Sequence, residues 1–137
     1  MSDTKTQPDA WAAAPTIDVL WPRPDVAQVV LGGEHDISTK VQLDAVFAST
    51  LADCSHLVVD LSTTQFIDSS TIAALITSKK RADASNRRFN LLLGTEPVVE
   101  RILQVTGVLS LLNRVHALEE AIPDAPSPWP ARESHYA

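Results

Sequence analysis

Asp68, Ser69 and Ser70 stand between an apolar pair, Phe66-Ile67, and a run in which Ile72, Leu75 and Ile76 recur at helical spacing. A hydroxyl so placed is suited to carrying a phosphate. The first turn of a helix has unpaired backbone N–H groups and a partial positive charge, which hold an added phosphate without unfolding the domain. The same three residues are also good plain caps, because their side-chain oxygens accept from those N–H groups. Residue types alone leave both roles open. Ser70, Thr71, Ala74, Thr77, Ser78 and Arg81 are expected on or near the helix face away from Ile72, Leu75 and Ile76.

Other chemistries find little support. A serine nucleophile needs a base held by a third group, and the context of Ser69 is not the G-x-S-x-G of a nucleophile elbow. The available bases are His35, His56, His116 and His135, of which His56 opens an apolar strand and His135 lies in a Pro-rich stretch. His35 could point either way. Four scattered histidines and one cysteine show no zinc-ligand spacing. With four glycines in all there is no phosphate-cradling loop. The clustered acids and the lysine of an aspartate-phosphorylated receiver domain are also missing. No catalysis, metal or cofactor is expected.

The formal net charge is −6, an unfavourable balance for nucleic acid or anionic lipid. The one dense basic cluster, Lys79, Lys80, Arg81, Arg87 and Arg88, reads as the solvated end of a helix and the loop after it. A protein is therefore the expected partner. Cys54 is alone, so no internal disulfide forms, and its setting reads as a half-buried small apolar residue. No apolar run approaches the ~20 residues of a membrane span, and the first residues lack a long apolar core. A cytoplasmic protein, monomeric or weakly dimeric, is expected.

The elements that must hold Ser69 alternate along the chain. Strands are expected over 16–20, 26–31, 56–61, 89–93 and 113–115, with Gly32 and Gly33 closing the second. A helix capped by Ser38 or Thr39 carries Val41, Ala45, Ala48 and Ala52 as an apolar face, with Leu43, Val46 and Phe47 nearby. Further helices follow over 70–84 and 97–106, and a short one starts at Ala117. Pro97 suits a first turn and Gly107 a helix end. Residues 1–15 read as a flexible arm, 16–122 as one domain and 123–137 as a Pro-rich tail in which Trp129 is loosely attached. Strands separated by such helices form a mixed, mainly parallel sheet with helices packed on it, an α/β fold.

The stretch VVDLSTTQFIDSSTIAALI, residues 58–76, resembles the signature of the STAS domain, the family of anti-sigma factor antagonists. Gly33-Glu34-His35-Asp36 is similar to the family's Gly-Glu-Leu-Asp turn. Val98-Val99-Glu100-Arg101-Ile102-Leu103 and Thr106-Gly107-Val108 are similar to its late helix and closing motif. The resemblance covers residues 16–121 and implies a single STAS domain with a four- to five-stranded sheet.

It also implies a function. The family's phosphorylated serine follows the motif Asp, which here makes Ser69 the acceptor, with Ser70 second choice. Asp36, Thr39, Asp68, Ser69, Ser70 and Thr71 would then form the partner-binding surface. Unphosphorylated protein would bind a serine-kinase-type anti-sigma factor, phosphorylation would end the binding, and a serine phosphatase would restore it. Thr71 departs from the pattern, standing where the family has Gly, and is expected to add bulk beside the acceptor. That departure keeps a second role in view, a STAS scaffold subunit of a stressosome-like or lipid-transport complex without a phosphoswitch.

Overall fold

The computed structural model describes residues 14–132. The expected arm over 1–15 falls almost wholly outside them, as does His135. β1 (Thr16–Arg23) and β2 (Val26–His35) form an antiparallel hairpin. The chain then runs through a 3-10 turn (Ile37–Thr39), α1 (Lys40–Ala52), β3 (His56–Asp60), β4 (Thr64–Ile67) and α2 (Ser69–Ala84). It continues with β5 (Arg88–Leu92), α3 (Pro97–Val105), β6 (Arg114–Val115) and a final 3-10 turn (Leu118–Ala121) in place of the expected last helix. The sheet order is β1-β2-β3-β5-β6, and β4 pairs with β2; every pairing except that of β1 is parallel.

The sheet has six strands, not four or five. β4 escapes a pattern reading because only Thr64 and Ile67 of its four residues are buried, while Phe66 faces outward, 42% exposed. Nor does Gly32-Gly33 end β2. Gly33 takes φ +75° at a register shift, a conformation glycine adopts without strain. Across this irregularity the strand changes partners: residues 26–30 pair with β3 and residues 33–35 with β4.

Strand alternation puts Ala27, Val29, Leu31, Leu57, Val59, Phe89 and Leu91 on the face covered by the three helices. Val26, Val58 and Val115 belong to a smaller cluster, with Ala121 and Ile122 packed over it. On α1 the expected face is reversed. Leu43, Phe47, Thr50 and Leu51 are buried, whereas Val41, Ala45, Ala48 and Ala52 lie in solvent. α1 is apolar nearly all round, so period alone cannot choose a face; the larger leucines and Phe47 gain most from burial and turn inward.

α2 is also buried on a second side. Thr71, Ala74 and Ser78, expected near the open face, are inside with Ile72, Leu75 and Ala82, because α1 packs along α2 while the sheet supports it. Cys54 is fully buried rather than half-buried, and burial pushes its thiol up to about 11, which makes it unreactive.

Residues 123–132 contain no helix or strand, yet they are tied to the β1–β2 hairpin. The Arg23 guanidinium donates to the carbonyls of Pro123 (2.9 Å) and Ala125 (2.7 Å) while paired with Asp25. Arg132 stacks on Trp21, 3.2 Å from the ring centre, and donates to the Pro24 carbonyl at 2.8 Å. Among the described residues no helix is long and apolar enough to cross a membrane.

Candidate functional site: two helix starts side by side

β2 and β4 run parallel and end together, with His35 in register with Ile67. Each strand delivers an aspartate to a helical start, and three of the four residues on each side match: Asp36-Ile37-Ser38-Thr39 and Asp68-Ser69-Ser70-Thr71.

Both aspartates are caps in extended backbone conformation. The Asp68 carboxylate accepts from the N–H of Ser70 (3.0 Å) and of Thr71 (3.1 Å), and from the Ser70 hydroxyl (2.6 Å). Asp36 accepts from the N–H of Ser38 (2.8 Å) and from its hydroxyl. Hydrogen bonding fixes their ionisation. Ser38 holds the Asp36 carboxyl below the usual range. At Asp68 partial burial pushes upward, but bonds from the Ser70 hydroxyl and the Thr71 and Ser70 N–H groups outweigh it, and the carboxyl again lies low. Two carboxylates thus stand ionised at neutral pH, near enough that the Asp68 charge is felt at Asp36.

The cap arrangement separates the serines. Ser70 is engaged by Asp68, whereas Ser69, the first residue of α2, is exposed and its hydroxyl has no hydrogen-bond partner among the described residues. Thr71 is not beside the acceptor at all. It is 1% exposed, with its hydroxyl 3.4 Å from Asp68, so it props the cap from beneath. Thr39 holds the matching place under the other start, buried, its hydroxyl 3.1 Å from His35 Nδ1 and donating to the Asp36 carbonyl. Of the six residues singled out in the sequence, Asp36 and Ser69 are exposed, Asp68 and Ser70 partly so, and Thr39 and Thr71 lie below the surface.

One neighbour was missed and another was left undecided. Ile37, which occupies the place of Ser69 on the first start, is 69% exposed. His35 is fully buried and its Nε2 faces the carbonyls of Gly32 (3.0 Å) and Thr16 (3.2 Å). The ring therefore braces the end of β2 against β1. The repeated Asp-x-Ser-Thr was the signal that could have found Ile37. Asp60, within the signature, faces the other way: it accepts from Gln28 Nε2 and from the Ser62 N–H, both at 2.8 Å.

A mixed sheet with one strand shared between two partners, three helices on one face and twin capped helix starts at its end define a small α/β domain. The chain belongs to the STAS family: the family described as "Mlab, STAS domain" matches residues 22–113. No curated protein sequence matches it. Among solved structures, an anti-sigma factor antagonist from Mycobacterium paratuberculosis is similar with a TM-score of 0.71 and 24% identity, over 85% of this chain and 94% of that one. The anti-sigma factor antagonist SpoIIAA in its unphosphorylated form aligns with a TM-score of 0.66 and 19% identity, over 77% of this chain and 92% of that one. The phosphorylated form of SpoIIAA from Bacillus gives 0.61 and 18%, over 77% and 96%.

Proposed function

We propose that this protein is an anti-sigma factor antagonist, a binding protein rather than an enzyme, switched off by phosphorylation of Ser69. The observation that carries this reading is the division of labour at the start of α2: Asp68 caps the helix and holds Ser70, leaving the Ser69 hydroxyl exposed. A kinase can reach Ser69 without breaking the cap. Ser70 could be modified only by displacing its bond to Asp68, so Ser69 is the acceptor. The likeness to SpoIIAA, solved in both unphosphorylated and phosphorylated forms, supports the same reading.

The partner is a serine-kinase-type anti-sigma factor, and a serine phosphatase restores the binding form. A phosphate adds about −1.5 to −2 charges at neutral pH. Here it would stand next to the ionised Asp68 and near a second ionised carboxylate, Asp36, on the surface the partner reads. Like charges brought together in an interface cost several kcal/mol, and about 3 kcal/mol is already roughly 100-fold in affinity. The dipole and free N–H groups of α2 keep the modified helix folded. The switch needs a change of charge, not of fold.

The alternative is a scaffold subunit without a phosphoswitch, prompted by Thr71, which lies beneath the cap rather than beside the Ser69 hydroxyl. Phosphosite mapping by mass spectrometry, on protein from its own growing and stressed cells, decides between them. Phosphate on Ser69 that changes with condition is expected; none under any condition would leave the scaffold.

A further inference from the structure

His35 is fully buried, yet each of its ring nitrogens faces polar atoms, and these belong to separate parts of the fold. Nε2 lies 3.0 Å from the carbonyl of Gly32, ahead of the register shift in β2, and 3.2 Å from that of Thr16, the first residue of β1. Nδ1 lies 3.1 Å from the hydroxyl of Thr39, which closes the turn begun at Asp36. The backbone carbonyl of His35 accepts the Asp68 N–H. A carbonyl oxygen only accepts, so a nitrogen facing two of them carries the hydrogen. In a neutral ring Nδ1 is then the acceptor. The single hydroxyl hydrogen of Thr39 can turn to it without stranding the Asp36 carbonyl, which also accepts the Thr39 N–H at 3.1 Å. Both nitrogens are thus satisfied, as burial requires.

We propose that His35 is a positioning residue of the Ser69 surface. As its Nε2–H tautomer it clamps the turn that carries Asp36 to the start of β1, while its backbone carbonyl secures Asp68 at the start of α2. Two acids on separate elements are thereby held in one place. A leucine, which the similar Gly-Glu-Leu-Asp turn has at this position, would fill much the same space and make none of the ring's bonds. The role rests on the reading of this surface as the one the partner binds. The clamp itself is measured without partner or phosphate, so the two can fail separately.

Long-range nitrogen–proton correlation NMR on the full chain, labelled with nitrogen-15 at histidine, reads the ring directly. It is taken at about pH 8, where an ordinary histidine is neutral. The His35 signals are those missing from the spectrum of His35→Gln. Nε2 should carry the hydrogen; an Nε2 without it, for all or part of the time, would overturn the clamp. Backbone nitrogen relaxation then separates clamping from mere filling of space. In wild type the Ile37 and Ser38 amides should have order parameters of about 0.85, the value of rigid backbone, and in His35→Leu these should fall to about 0.6. His35→Gln, whose side-chain amide can still donate to the Gly32 and Thr16 carbonyls, should recover most of the difference. Order unchanged in His35→Leu, or lost equally in His35→Gln, would each overturn the role.

Discussion

Asp68 donates its backbone N–H to the carbonyl of His35, 3.3 Å away, and so fixes the start of α2 against the end of β2. Asp36, the residue after that carbonyl, therefore lies beside the α2 cap. The two acids belong to one surface because a short strand was inserted next to β2. A charge added at Ser69 acts on both.

The switch is tested by separating charge from chemistry. Ser69→Ala should bind the anti-sigma partner as wild type does and resist its kinase. Ser69→Asp, with only one added charge, should weaken binding at least tenfold, or about 1.4 kcal/mol. Titration calorimetry with the purified partner checks both, and equal affinities for wild type and Ser69→Asp would remove the electrostatic mechanism.

Asp68→Ala should cost about 1 kcal/mol at neutral pH, the usual value of an N-cap. The sign of its pH dependence follows from the lowered carboxyl. Its stabilisation is present above the ordinary value of 3.8 and is lost as pH falls through the lowered folded value, so the stability difference between the two proteins should shrink as pH falls below 3.8. Urea melts at several pH values read this difference.

Thr71→Gly restores the residue the family usually has and should nevertheless weaken the fold, by about 1–3 kcal/mol. A glycine costs ~1 kcal/mol within a helix, and a buried side chain leaves a void. Differential scanning calorimetry should give a lower Tm, with Ser69 still open to modification.

His56 supplies a pH test far from Ser69. Desolvation lowers it first, and the Arg88 and Arg23 charges add to that against the opposing Asp25. Below the ordinary value of 6.5 the unfolded chain takes up a proton that the folded one resists, so stability should fall from pH 7 towards pH 5.5. His56→Gln should flatten this part of the profile in thermal melts. An unchanged slope would place the dependence elsewhere.

How far the sequence led depended on how much each segment relied on its own pattern. β2, β3 and β5 are β-branched or apolar runs, and their positions were legible. The Asp-Ser-Ser motif was legible too, because capping chemistry is local. β4 was not, since its place is set by β2, whose register shift at Gly33 is a tertiary fact. The buried face of α1 was misread because the helix has apolar residues on every side, and only competition between side-chain sizes settles which go inward. Thr71 was misplaced for a related reason: a helix packed on two sides has no single polar face.

The ties between the hairpin and residues 123–132, from Arg23 to Pro123 and Ala125 and from Arg132 to Pro24, span 100, 102 and 108 positions of sequence. On the ribosome the hairpin that receives them emerges about a hundred residues before its fastening exists. At synthesis rates of about 5–20 residues per second, Trp21 stays uncovered for roughly 5–20 seconds. The nascent chain thus passes through an interval with its first hairpin made and not yet latched, during which a chaperone that binds exposed aromatic side chains has a defined target.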